Sequence, residues 1–161
     1  MSDLPGELII AGIGNPYRGD DAAGWLVIDA LKGKMDGVIP CCKLRGELSE
    51  LLDLFASYSI VYLVDACLSN DPTSAWQRID VHRQPLPPES SQTSTHGLGL
   101  SQAIALAKNL DQLPSTLVVY AITGSCYQVS DMLSPGIAQA VEEVAQKIIN
   151  EEDIRACMKK A

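Results

Sequence analysis

The stretch ELIIAGIGNPYRGDD, residues 7–21, passes from an apolar run through a glycine turn to two adjacent acids. Residues 7–14 are apolar without alternation, the pattern of a short strand buried on both faces. From Asp20 to about Lys32 the sequence reads as a helix, with Asp20 placed as N-cap and Gly33 just past the end. Strand, glycine turn and helix in that order form the first half of a βαβ unit, which calls for a parallel neighbour.

The rest of the chain supplies it. GVIPCCKL (37–44) reads as a second strand, which Pro40 assigns to an edge or a bulge. Leu48, Leu51, Leu52 and Phe55 recur at helical spacing between Glu47 and Ala56, and SIVYLVDAC (59–67) is the clearest buried strand. From Ala75 to His82 the pattern alternates, with Ile79 and Val81 on one face, as in a half-exposed edge strand. RQPLPPESSQTST (83–95) reads as a loop. A helix from about His96 to Asn109, the strand STLVVYAIT (115–123) and a long helix from Pro135 to Glu152 complete the chain. Alternating strands and helices predict an α/β protein with a mostly parallel sheet covered on both faces. The 161 residues are expected to form a single domain, 1–161.

A formal net charge of −8 and a pI near 4.6 exclude a phosphate-backbone partner, because nucleic-acid binders need a basic footprint. No apolar run approaches the roughly 20 residues that span a bilayer, and MSDLPGE has no signal-peptide pattern, so a cytoplasmic location without membrane contact is expected. The five cysteines, Cys41, Cys42, Cys67, Cys126 and Cys157, form no C-x-x-C motif. That speaks against a disulfide framework or a thiolate metal knuckle. Most are expected to be small buried hydrophobes, with Cys157 exposed.

In sheets of this kind ligands bind at the carboxyl ends of the strands, near the point where the strand order reverses. The first strand ends at GNPYRGDD, the third at Asp65, and the long loop delivers His96 to the start of a helix. Asp21, Asp65 and His96 are therefore expected at one edge. Two carboxylates and an imidazole suit a borderline divalent metal such as nickel or zinc and leave positions open for another molecule. A dinucleotide site fits poorly, since Tyr17 stands where the third glycine of G-x-G-x-x-G belongs and two carboxylates occupy the helix start. No G-K-[ST] follows, which excludes a P-loop. Each residue also has a plainer reading: Asp20 as a cap, Asp21 as a complement to the helix dipole, Asp65 as a loop aspartate, His96 as a cap. His82 is expected on the polar face of the edge strand, and Cys67 in packing. The hydroxyls of SSQTSTH lie near His96 without a nucleophile elbow.

GIGNPYRGDDAAGWLVIDAL resembles the hydrogenase maturation endopeptidases, which remove a C-terminal extension from the large subunit of [NiFe] hydrogenases. The family pattern is met by Gly12, Gly14, Asn15, Asp20, Asp21 and Gly24, by Asp65 and Ala66 after a hydrophobic strand, and by His96 in STHGLGL. The resemblance implies a five-stranded twisted sheet with one antiparallel edge strand between helices. It also implies an aspartic-type endopeptidase in which Asp21, Asp65 and His96 are both catalytic and metal-contacting. The nickel would be carried by the precursor, with no permanently bound cofactor, and would serve as the recognition element. The partner implied is the [NiFe] hydrogenase large-subunit precursor, met by a monomer. A non-catalytic nickel-checking protein using the same trio is the alternative. CCKLRGEL (41–48) departs from the family: Lys43 and Arg45 stand where many members have an acid-Gly-Gly-Thr-like or His-Gln-Leu-like segment. Glu47 is the nearest carboxylate and is expected to serve the helix start.

Overall fold

A computed structural model describes residues 6–35, 37–68, 74–86, 95–124 and 132–160, with the side chains of residues 68 and 95–98 outside the description. The elements run β1 (Gly6–Ile13), a 3-10 turn (Gly19–Ala22), α1 (Ala23–Met35), β2 (Cys41–Leu44) and α2 (Leu48–Ser57). Then follow β3 (Tyr58–Leu68), β4 (Trp76–Asp80), α3 (Thr95–Asn109), β5 (Thr116–Gly124), α4 (Ile137–Ile149) and α5 (Glu152–Lys159). The strands form one five-stranded sheet in the order β2-β1-β3-β5-β4. The first four are parallel, and β4 runs antiparallel along β5 at the far edge. This is the α/β architecture the sequence predicts.

Side-chain alternation splits the core into two layers. Ile10, Tyr62, Val64, Tyr120 and Ile122 face α1, α4 and α5. Ile9, Ile13, Val61, Leu63 and Val119 face α2 and α3. Both faces of β1, β3 and β5 are therefore apolar, which explains their unbroken hydrophobic runs. Chain order reverses between β1 and β3: α1 leads outward from β1 to β2, and α2 returns across to β3. The cleft that such a reversal opens lies at the carboxyl ends of these two strands.

Helix α1 approaches the sheet at backbone distance. A Cβ on Gly24 would stand 2.2 Å from the Ile13 carbonyl oxygen and 2.7 Å from that of Val64, so this position admits only glycine without displacing two strands.

Some boundaries differ from expectation. The first helix begins at Ala23, after the 3-10 turn, and runs through Gly33 to Met35. Gly33 is an interior residue with open space around it and does not terminate the helix. Pro40 precedes the edge strand, and its carbonyl accepts the Ile10 N–H at 3.0 Å. The long terminal helix is two, divided at Asn150 and Glu151. Glu151 is held by Arg78 Nε at 2.6 Å and by the Tyr120 hydroxyl, while the Tyr62 hydroxyl donates to Asp153 at 3.1 Å. These bonds turn α5 back onto the sheet, an interaction between distant elements that helical periodicity does not register. Cys41, Cys42, Cys67 and Cys157 are half-buried, so Cys157 is less exposed than expected; Cys126 lies outside the described residues.

Candidate active site

The turn after β1 closes on itself through three backbone hydrogen bonds and one to a side chain. Arg18 N–H donates to the Asn15 carbonyl at 3.3 Å, Asp21 N–H to that of Arg18 at 3.1 Å, and Asn15 N–H to that of Asp21 at 3.1 Å. The Asn15 side chain accepts the Tyr17 N–H at 2.9 Å. Gly19 takes a φ of 56°, in the left-handed region that favours glycine. A Cβ on Gly14 would lie 2.5 Å from the Asp21 carbonyl oxygen. Glycine there lets the turn fold tightly enough to bring Asp20 and Asp21 inside, at 0% and 1% exposure.

Asp20 does not cap the following helix. It lies inside the 3-10 turn, whose N-cap is Arg18, and its carboxylate accepts the Ser134 N–H at 2.7 Å, joining the first turn to the segment before α4. Nothing in LSPG marked Ser134 for this role, because the partner is 114 residues away in sequence.

Asp65 lies in β3, opposite Ala121 of β5, and is 6% exposed. Its alternation with Val61 and Leu63 sets it on the α2 and α3 face. Gly12 pairs with Val64, so Asp65 stands level with Ile13, where the chain leaves β1 for the turn bearing Asp21. The 3-10 turn packs on β3. The turn bearing Asp21 and the end of β3 bearing Asp65 thus lie at the same edge of the sheet, with Asp20 beside them.

His96 is the second residue of α3, and its side chain lies outside the described residues. The start of α3 is tied to the same edge by a glycine contact. A Cβ on Gly99 would come within 2.3 Å of the Gly46 carbonyl oxygen, and Gly46, at φ 88°, is the second residue after β2. His82 stands at the opposite end of the sheet, where its Nε2 lies 2.7 Å from the Pro114 carbonyl oxygen just before β5. Among the described residues, which leave out the His96 side chain, no group of three His, Cys, Asp or Glu side chains forms a metal-holding cluster.

For Cys67, two residues beyond Asp65, the thiolate is disfavoured at neutral pH. Burial, and after it the neighbouring Asp65, pushes its thiol up to about 11. Residues 90–94 of the hydroxyl-rich segment lie outside the described residues.

The segment leaving β2 contributes cations to this edge. Lys43 Nζ pairs with Asp29 at 2.7 Å and lies 5.4 Å from the Trp25 ring centre; the Arg45 guanidinium lies 5.5 Å from the same centre. Trp25 is fixed by its own Nε1–H, which donates to the Leu44 carbonyl at 2.9 Å. Glu47 begins α2 as expected, and Glu50 accepts both its N–H and that of Arg45.

The fold resembles that of proteins of known structure. The hydrogenase maturating endopeptidase HybD from Escherichia coli superposes with a TM-score of 0.68 at 18% identity, over 89% of this chain and 90% of that one. An endopeptidase from Escherichia coli gives 0.76 at 18% identity, over 96% and 93%. The [NiFe] hydrogenase maturation protease HycI from Thermococcus kodakarensis gives 0.62 at 25% identity, over 92% of each chain. No curated protein sequence matches. The family model described as HycI, hydrogenase maturation protease, matches residues 47–151, well over half of the 161. That span contains Asp65 and His96, and the turn with Asp20 and Asp21 precedes it. On this match and the shared architecture, the chain belongs to the hydrogenase maturation protease family.

Proposed function

We propose that the protein is an endopeptidase that removes the C-terminal extension of a [NiFe] hydrogenase large-subunit precursor once nickel has been inserted. The observation that carries this reading is the burial of Asp21 and Asp65 at the carboxyl ends of β1 and β3, beside the strand-order reversal, with the His96-bearing end of α3 tied to the same edge. Carboxylates withdrawn from water at one place attract a cation and repel a phosphate.

The nickel belongs to the substrate. Carboxylate oxygens from Asp21 and Asp65 and an imidazole nitrogen from His96 complement a borderline divalent ion already held by the precursor's thiolates. Such a contact requires an inserted metal, so an empty precursor is passed over. It also fixes the scissile peptide beside a cation, which can polarise a carbonyl or a water. Three protein ligands make an incomplete site for a free ion, and the protein alone is expected to bind divalent metal weakly.

The test is incubation of wild-type protein with nickel-loaded and nickel-free precursor, followed by mass spectrometry of the products. Shortening of the loaded form alone is expected. Complex formation with the loaded precursor without shortening would favour a non-catalytic checking protein instead.

A further inference from the structure

We infer that Arg45 is a specificity residue that reads a carboxylate on the substrate segment entering the cleft. The inference rests on the proteolytic reading above and adds the chemistry of the group recognised. Arg45 stands between two of the three elements that carry the proposed trio, the turn of Asp21 and the helix of His96. The preceding residue, Leu44, accepts the Gly14 N–H at 3.0 Å, next to the turn of Asp21. The following residue, Gly46, is in backbone contact with Gly99 in the first turns of α3. The backbone at Arg45 therefore stands at the rim of the cleft, between the acidic turn and the helix of His96, and its guanidinium lies over Trp25 in the first turn of α1.

The two cations of the segment at β2 are differently engaged. Lys43 is bound to Asp29, whereas among the described residues Arg45 makes no ion pair. Its guanidinium is held over the Trp25 ring, and that ring is fixed in turn by Leu44. An arginine oriented by an aromatic face has surrendered part of its rotamer freedom before any ligand arrives, and its donor fork matches a carboxylate in two places. Asp20, Asp21 and Asp65 repel a carboxylate from the interior of the cleft, so the rim is where an acidic group of the substrate can settle. A metal drawn inward and a carboxylate held at the rim fix the direction of the bound segment, the role charge complementarity plays at interfaces.

The carboxylate has two sources, an acidic side chain near the scissile bond or the terminal carboxylate of the extension. Both are tested by steady-state processing of nickel-loaded precursor by wild type, Arg45→Ala, Arg45→Glu and Arg45→Lys. The alanine variant is expected to raise KM about tenfold with kcat within about twofold, as for loss of one charge-assisted hydrogen bond. The glutamate variant should raise it further, and lysine should restore only part, lacking the fork. Precursors with single Asp→Asn or Glu→Gln changes, and one whose terminus is displaced by appended glycines, identify the source. The altered precursor that raises KM for wild type but adds nothing to Arg45→Ala carries the recognised group. Cleavage by wild type together with unchanged KM for Arg45→Glu, or a loss confined to kcat, overturns the inference alone. No cleavage by wild type overturns the proteolytic reading and this inference with it.

Discussion

At the carboxyl edge of the sheet Asp20, Asp21 and Asp65 are placed by backbone, whereas at α5 Glu151 and Asp153 are gripped by side chains from other elements. Gly14 and Gly24 let a turn and a helix close to backbone distance, and the edge acids are buried as a result. At α5, Arg78, Tyr120 and Tyr62 supply donors matched to each acid. Burial pushes the hydroxyls of both tyrosines well above the ordinary range, and the adjacent acids push them further, so both remain donors in any physiological buffer. The acids at α5 hold the fold through donors that reach across it; Asp21 and Asp65 are buried at the ends of neighbouring parallel strands, the place proposed above for an incoming cation.

Substitutions separate these two roles. Asp21→Ala and His96→Ala are expected to cut processing of loaded precursor by about a hundredfold or more, the scale of losing a group in the reaction centre. Circular dichroism and melting temperature should stay near wild type. Full activity in both variants would remove the proposed site.

Gly24→Ala attacks the backbone that places the acids. A methyl group 2.2 Å from the Ile13 oxygen must displace α1 or β1, and a loss of about 1–3 kcal/mol of stability is expected. Melting should fall and processing with it. The control is Gly33→Ala in the same helix, where nothing crowds the new methyl and a gain of about 0.5–1 kcal/mol is expected. Equal melting temperatures for the two variants would contradict the close approach.

Tyr120→Phe tests the other region. Glu151 keeps Arg78 as a partner, so a loss of about 1 kcal/mol is expected with processing unchanged. A large fall in kcat would show that α5 acts on the site.

The smallest effect concerns Cys67. Its thiol is raised from 9.0 to about 11, so the protonated form is the one favoured by folding. That contribution is complete below about pH 9 and lost as pH rises through 11. Iodoacetamide labelling of Cys67 at pH 8 is accordingly expected to lag behind that of the unfolded chain. Equal rates would contradict the burial.

The unbroken apolar runs 7–14 and 59–67 disclosed a parallel sheet because strands covered on both faces leave little room for polar alternation. Asp21 and Asp65 could be placed at one edge from topology alone, since strand ends in such a sheet share a side. What stayed hidden depended on pairs far apart in sequence. Asp20 had the spacing of a helix cap, and only the folded chain brings Ser134 to its carboxylate. The break at Glu151 follows from Arg78 and Tyr120, which no helical period encodes. Gly99 gave no signal until Gly46 was found against it.

The central claim is that Asp21, Asp65 and His96 meet the nickel of the substrate. Nickel-edge X-ray absorption of a loaded precursor with an uncleavable scissile bond, recorded before and after addition of the wild-type protein, tests this directly. A gain of oxygen and nitrogen neighbours at the nickel is expected on complex formation, lost with Asp21→Ala and with Asp65→Ala. A stable complex whose nickel spectrum is identical to that of the free precursor would contradict it.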